Sequence, residues 1–166
     1  MIIFDASTLI LLAKTEILKL ITQTQEILIS KEVEVEATCR PEFLDAKIII
    51  ELIKTGEIKV IKVKNPALLK RFMKDFAIVE GEASVLLLAH QRQAILATDD
   101  GLTIKACKVL GVKFVTAIHF LLSIYYKRKI SRELALVKLE RLKNLGRYNV
   151  RIISDAINRI EGRRGE

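Results

Sequence analysis

The 166-residue chain predicts an α/β fold, a three-layer α/β/α sandwich around a central, mostly parallel sheet. Three observations carry that prediction. Short apolar runs of strand length at 1–4, 27–29 and 94–97 alternate with longer stretches of helical periodicity. The runs at 2–4 and 94–97 are unbroken rather than alternating, as strands covered on both faces must be. Each of these two then ends in carboxylates, Asp5 after the first and Asp99 and Asp100 after the second, at the strand end where open sheets place ligands.

The elements follow in order. Ile2, Ile3 and Phe4 form the first strand, and Ser7 is placed to cap a helix over 8–21, where Leu9, Leu12, Ala13, Ile17 and Leu20 recur at helical spacing. Ile27–Ser30 supplies a second strand at 27–29 and a capping serine. The helix behind it holds Glu32, Glu34 and Glu36; Glu32 and Glu36 share a face, whereas Glu34 points about 160° away. Pro41 interrupts, and a helix over 42–55 closes at Gly56. The run 58–63 mixes lysines with aliphatics, which fits an edge strand that lysines guard against further pairing. Asn65-Pro66 starts a helix to about residue 73, and 80–92 is a strongly apolar helix with Glu82 in its first turn. A helix over 102–110 ends at Gly111, a last strand covers 112–115, and an all-round apolar helix covers 117–126. Two basic amphipathic helices, at 131–145 and 149–160, complete the chain before a tail at 162–166 that is expected to fray.

This length is most simply one domain over 1–166, with basic C-terminal helices at about 127–160. No run approaches the roughly 18 apolar residues of a membrane span, and no basic leader precedes the first apolar run, so a cytoplasmic protein without a membrane partner is expected. Cys39 and Cys107 lack any CxxC context and read as reduced thiols. The net charge of +8 is concentrated: residues 127–166 hold 12 Lys+Arg against 5 Asp+Glu. Such a segment attracts polyanions, although a solvated helical face explains it as well. Within 118–125 the apolar residues suit either a dimer surface or ordinary core.

Asp5, Asp99 and Asp100 at strand ends, with Glu36 and Glu82 on bordering helices, are the candidate chemistry. Two ionised acids about 4 Å apart repel by about 4 kcal/mol at an effective dielectric near 20, so a cleft of them must protonate or take up cations. Oxygen-only donors suit Mg²⁺ or Mn²⁺, and the chain offers no His/Cys set for zinc. Such ions activate water and neutralise charge on a phosphodiester, which points to a nucleic acid backbone as substrate. Glu32, Glu34 and Glu80 read as solvated helix faces, and His90 and His119 as structural.

With Ile3-Phe4-Asp5-Ala6-Ser7, Glu36 after Val33, Gly81-Glu82-Ala83-Ser84 with Leu88-Ala89, and Ala97-Thr98-Asp99-Asp100 followed by Ala106 and Gly111, the chain resembles the PIN-domain family, which includes the VapC-type toxin ribonucleases. The resemblance spans roughly 1–145 and rests on order and spacing rather than on one motif. It implies Mg²⁺- or Mn²⁺-dependent cleavage of single-stranded RNA, frequent homodimers and, in toxin relatives, an inhibiting antitoxin protein. It also implies that Asp5, Glu82 and one or both of Asp99 and Asp100 are metal ligands, the family pattern Thr-x-Asp favouring Asp100, that Glu36 is a second-rank ligand or orients water, and that Asp5, Glu36, Glu82 and Asp100 carry catalysis. Leu102, Thr103 and Ile104 stand where many relatives have a further acid. Two other readings compete. One is a non-catalytic RNA-binding or interaction module with a decayed acidic site; the other is a phosphatase or receiver domain phosphorylated on Asp5, whose motif would want an acid where Ser7 stands.

Overall fold

The computed structural model describes residues 1–162; residues 163–166, and with them most of the tail expected to fray, lie outside it. Five strands form one sheet: β1 (Ile2–Phe4), β2 (Ile27–Ser30), β3 (Ile58–Ile61), β4 (Ile95–Ala97) and β5 (Phe114–Val115). Their order is β3-β2-β1-β4-β5 and every pairing is parallel. The helices are α1 (Ala6–Lys14), α2 (Leu18–Thr22), α3 (Lys31–Thr38), α4 (Leu44–Lys54), α5 (Pro66–Phe76), α6 (Glu80–Arg92), α7 (Gly101–Leu110), α8 (Ala117–Tyr126), α9 (Arg132–Leu145) and α10 (Val150–Glu161).

From β1 the chain steps outward to β2 and β3, then returns across the sheet to β4 and β5 on the other side of β1. Right-handed crossovers therefore put the connections of the two halves on opposite faces. Packing agrees: α5, α6 and α7 contact one another, with α6 against β1, β2 and β4, while α1 gathers α4 and α8. The result is the sandwich that the sequence predicts. β1 and β4 are neighbours whose connections leave in opposite directions, so the crevice at their carboxyl ends is a topological switch point.

Burial follows the apolar runs. Ile3, Phe4, Leu96 and Ala97 are fully buried, as are Val85, Leu86 and Leu87 of α6. Phe4 stacks on Phe120 of α8 at 5.1 Å between ring centroids. Helix α8 buries Ala117, Ile118, Phe120, Leu121, Leu122 and Ile124 against α1, α2, α9 and α10 of the same chain, so of the two sequence readings it is core rather than a dimer surface. β3 is the lysine-guarded edge strand, and Ser30, Asn65, Ser131 and Asn149 each cap the helix that follows.

The first helix differs from the sequence expectation in two ways. Its cap is Asp5, whose Oδ1 accepts from Thr8 N–H at 2.7 Å, rather than Ser7, which is exposed. It also stops at Lys14, because Glu16 takes a left-handed conformation at φ 58° and α2 starts afresh at Leu18. Lys138 and Arg141 of α9 reach the Glu16 carboxylate at 2.7 and 2.9 Å, which holds the break in place. Among the described residues, no helix is long and apolar enough to cross a membrane.

Candidate active site

The carboxyl ends of β1 and β4 are tied together by the Asp5 N–H bond to Ala97 O at 3.0 Å, which fixes Asp5 beside the Thr98-Asp99-Asp100 turn. Asp5 is 1% exposed. Capping accounts for its Oδ1, whereas Oδ2 is closed to solvent and has no hydrogen-bond partner among the described residues. Burial pushes its pKa up to about 6; the Thr98 hydroxyl and Thr8 pull it down, and the charge of Asp99 pushes it up again. Thr98 thus lies close to the carboxyl without completing a bond to Oδ2. A buried carboxylate oxygen left unpaired is costly, and proteins resolve it with a proton or a cation.

Asp99 is held by donors from three parts of the chain. Its carboxylate accepts from the Thr8 hydroxyl at 2.9 Å, from Ala117 N–H at the start of α8 at 3.0 Å, and from the Tyr148 hydroxyl at 2.9 Å. Burial still outweighs these donors and raises its pKa. The same burial, together with the charge of Asp99, raises that of the Tyr148 phenol, so Tyr148 is a donor and Asp99 the acceptor. Asp100 caps α7, its Oδ2 taking Thr103 N–H at 2.7 Å and the Thr103 hydroxyl at 2.9 Å. Thr103 therefore serves the acid turn through both its N–H and its hydroxyl.

Glu82 enters from α6. Its carboxylate accepts from Val79 N–H at 3.2 Å, and its pKa is raised by burial and by repulsion from Asp100 and then Glu36. The start of α6 is fixed to the end of β2 by the Ser30 and Ser84 hydroxyls, which meet at 2.6 Å. Glu36 lies over Gly81: a Cβ at that position would sit 2.7 Å from Glu36 Oε2. Glycine in the Gly81-Glu82 pair therefore lets two acidic side chains from α3 and α6 approach each other.

Three of these acids border one cleft of about 400 Å³. Glu82, Asp99 and Asp100 line it directly, with Ser7, Ile10, Lys14, Leu145, Arg147 and Tyr148 around them; Asp5 sits behind Asp99, and Glu36 lines an adjoining groove with Glu32 and Glu80. No lysine or arginine forms an ion pair with Asp5, Glu36, Glu82, Asp99 or Asp100 among the described residues. Nor do three or more His, Cys, Asp or Glu side chains among the described residues close around a point as a ready-made metal cage. The acids form an open rim. Mg²⁺ keeps several waters and is commonly held by one or two carboxylates plus substrate phosphate, so an open rim with an orphaned carboxylate oxygen fits that ion; a four-ligand zinc site it does not fit.

The family model DUF3368, described as a PIN domain, matches residues 1–162. The chain belongs to the PIN-domain family. No curated protein matches it significantly. PIN domains are generally nuclease-like, commonly use divalent metals and suggest nucleic-acid binding, so the cleft lies in a nuclease-type fold.

The sequence offers Tyr148 only as one of three tyrosines that could contact RNA and Gly146 only as a helix separator; it does not place either in this PIN cleft. Tyr148 comes from the turn between α9 and α10, and a Cβ on Gly146 would meet its ring at 2.4 Å. Glu32 also departs from the expected solvated face, since its Oε2 is buried and has no hydrogen-bond partner among the described residues. Glu34 instead pairs with Lys31, and Glu80 is exposed. His90 and His119 are exposed, their rings near Phe72 and Phe120, and neither lines the cleft. Both cysteines are free; burial and the nearby Asp5 charge push the Cys107 thiol up to about 11, which makes it a poor nucleophile.

Proposed function

We propose that this PIN domain is a divalent-metal-dependent endoribonuclease that cleaves single-stranded RNA at the cleft between β1 and β4. The observation that carries the reading is Asp5 Oδ2, a buried carboxylate oxygen that takes no part in the cap and completes no hydrogen bond among the described residues. Asp5, Glu82, Asp99 and Asp100 are the residues that would hold Mg²⁺ or Mn²⁺, and Oδ2 becomes reachable only when the side chains around Asp5 adjust. The bound ion would supply Lewis acidity toward the phosphodiester and relieve the repulsion among the acids.

The protein's own contributions follow from the geometry. Thr8, Ala117 N–H and Tyr148 hold Asp99 in one orientation, and Thr103 does the same for Asp100. Glu82, with its affinity for a proton raised by burial and by two neighbouring acids, is suited to take a proton from the attacking water. Glu36, exposed and across Gly81 from it, is suited to orient that water. Within the same reading the protein is the toxin of a toxin–antitoxin pair, acting in the cytoplasm as a homodimer, with an antitoxin protein that blocks the cleft.

The test is cleavage of a labelled single-stranded RNA by purified protein with Mn²⁺ or Mg²⁺. The expected result is metal-dependent cleavage lost in Asp5→Asn; full activity in EDTA overturns the reading. The second reading, a non-catalytic RNA-binding module, has one observation on its side, the lack of a closed three-acid cage among the described residues. Tight, salt-dependent RNA binding without cleavage under any divalent metal would select it.

A further inference from the structure

The cleft has a cationic side as well as an acidic one. Lys14, in the last turn of α1, and Arg147, in the turn between α9 and α10, both line it together with Glu82, Asp99 and Asp100. Neither forms an ion pair among the described residues. That sets Arg147 apart from much of the basic C-terminal segment: Arg132, Lys138, Arg141, Lys143 and Arg159 are each committed to Glu161, Glu16, Glu140 or Asp155. The turn that carries Arg147 is also fixed. Tyr148 beside it is bonded to Asp99, and Gly146 on the other side is the residue that gives the tyrosine ring room.

We infer that Lys14 and Arg147 form a phosphate-binding subsite, which takes a backbone phosphate of single-stranded RNA next to the phosphodiester facing the acids. This rests on the proposed function and goes beyond it by naming the two side chains that seat the substrate. Two cations that share a cleft with three acids, yet pair with none of them, are free to take up an anion. Guanidinium matches phosphate oxygens in a bidentate manner, and the ammonium adds a point charge on a flexible stem. A cleft of about 400 Å³ falls in the range of small-ligand sites, so what it seats is a short stretch of backbone rather than a folded helix. The exposed cations elsewhere on α9 and α10 then contribute steering rather than seating.

The experiment measures binding of a labelled single-stranded RNA by anisotropy in EDTA, where cleavage does not intervene, across a series of KCl concentrations. Each phosphate contact on a single strand contributes about 0.7 to the slope of log affinity against log salt. Lys14→Ala and Arg147→Ala should each lower that slope by about 0.7, and the double variant by about 1.4, with unchanged melting temperatures because neither side chain has a hydrogen-bond or ion-pair partner among the described residues. Lys70→Ala, an exposed lysine of α5 outside the cleft, should leave affinity and slope at the parent values. A double variant that keeps the parent slope, while the parent binds RNA, overturns the subsite and leaves the proposed function standing. A parent protein that binds no RNA at low salt overturns both.

Discussion

Replacing Asp5 by asparagine isolates the buried charge from the cap. Asparagine caps helices as well as aspartate does, so Oδ1 keeps its bond from Thr8 N–H while the ionisable group disappears. The parent acid has its pKa raised from 3.8 to about 6 in the folded chain. At about 1.4 kcal/mol per pH unit, that shift amounts to about 3 kcal/mol. The sign follows from proton uptake. Below pH 4 the acid is protonated in both states and nothing is lost; between pH 4 and 6 the folded chain keeps a proton that the unfolded chain has released, so stability falls as pH rises; above pH 6 the loss is complete and constant. Asp5→Asn has no such term. Thermal unfolding in EDTA should therefore show the two proteins diverging between pH 4 and 7.5, with the parent losing about 6–12 °C relative to the variant for a chain of this length. Adding Mn²⁺ at pH 7.5 should restore the parent, by about 2.7 kcal/mol at a hundredfold excess over its dissociation constant, and leave the variant unmoved. Parallel pH profiles in EDTA would refute the claim that burial of the Asp5 carboxylate costs stability, and with it the case for a cation at this place.

Two further changes test how the cleft is braced. Gly146→Ala puts a Cβ 2.4 Å from Tyr148 Cε2 and 3.0 Å from Leu142 O, so it should cost about 1–3 kcal/mol in urea unfolding, more than Tyr148→Phe, which removes only the hydroxyl bond to Asp99. Ser30→Ala removes both the cap on α3 and the hydroxyl that meets Ser84, and should destabilise by about 1–2 kcal/mol while shifting the apparent metal affinity of Glu82 through the loosened start of α6.

What the sequence made legible here was whatever depends on neighbours along the chain. The boundaries of α6 and α8 agree with the expected 80–92 and 117–126, since each is an apolar stretch bounded by residues that stop or start a helix. Ser30 caps and Asn65 starts its helix as expected, because a cap is decided within three residues, and Ser131 and Asn149, the first residues of the two expected C-terminal helices, prove to be caps. The break at Glu16 was not legible: apolar spacing runs through it without Gly or Pro, and the left-handed turn is held by Lys138 and Arg141, more than 120 residues away. Tyr148 was hidden for the same reason, its bond to Asp99 spanning 49 positions.

The acids themselves show where local reasoning reaches its limit. That Asp5, Asp99 and Asp100 share a strand end follows from two short apolar runs in a parallel sheet, but the switch point that makes that end a crevice depends on β4 returning to pair with β1 rather than extending beyond β3. Nor does the sequence separate an aspartate that caps from one that waits for a ligand, because both occur at the first residue after a strand. Geometry separates them atom by atom. In Asp100 the Oδ2 serves the cap through Thr103, in Asp99 three donors engage the carboxylate, and in Asp5 the cap uses Oδ1 and leaves Oδ2 buried without a hydrogen-bond partner among the described residues. A fold that needed only capping from Asp5 would be served equally by serine or asparagine at that position without a buried charge. A carboxylate kept there at the expense of stability is thus better explained by chemistry than by architecture.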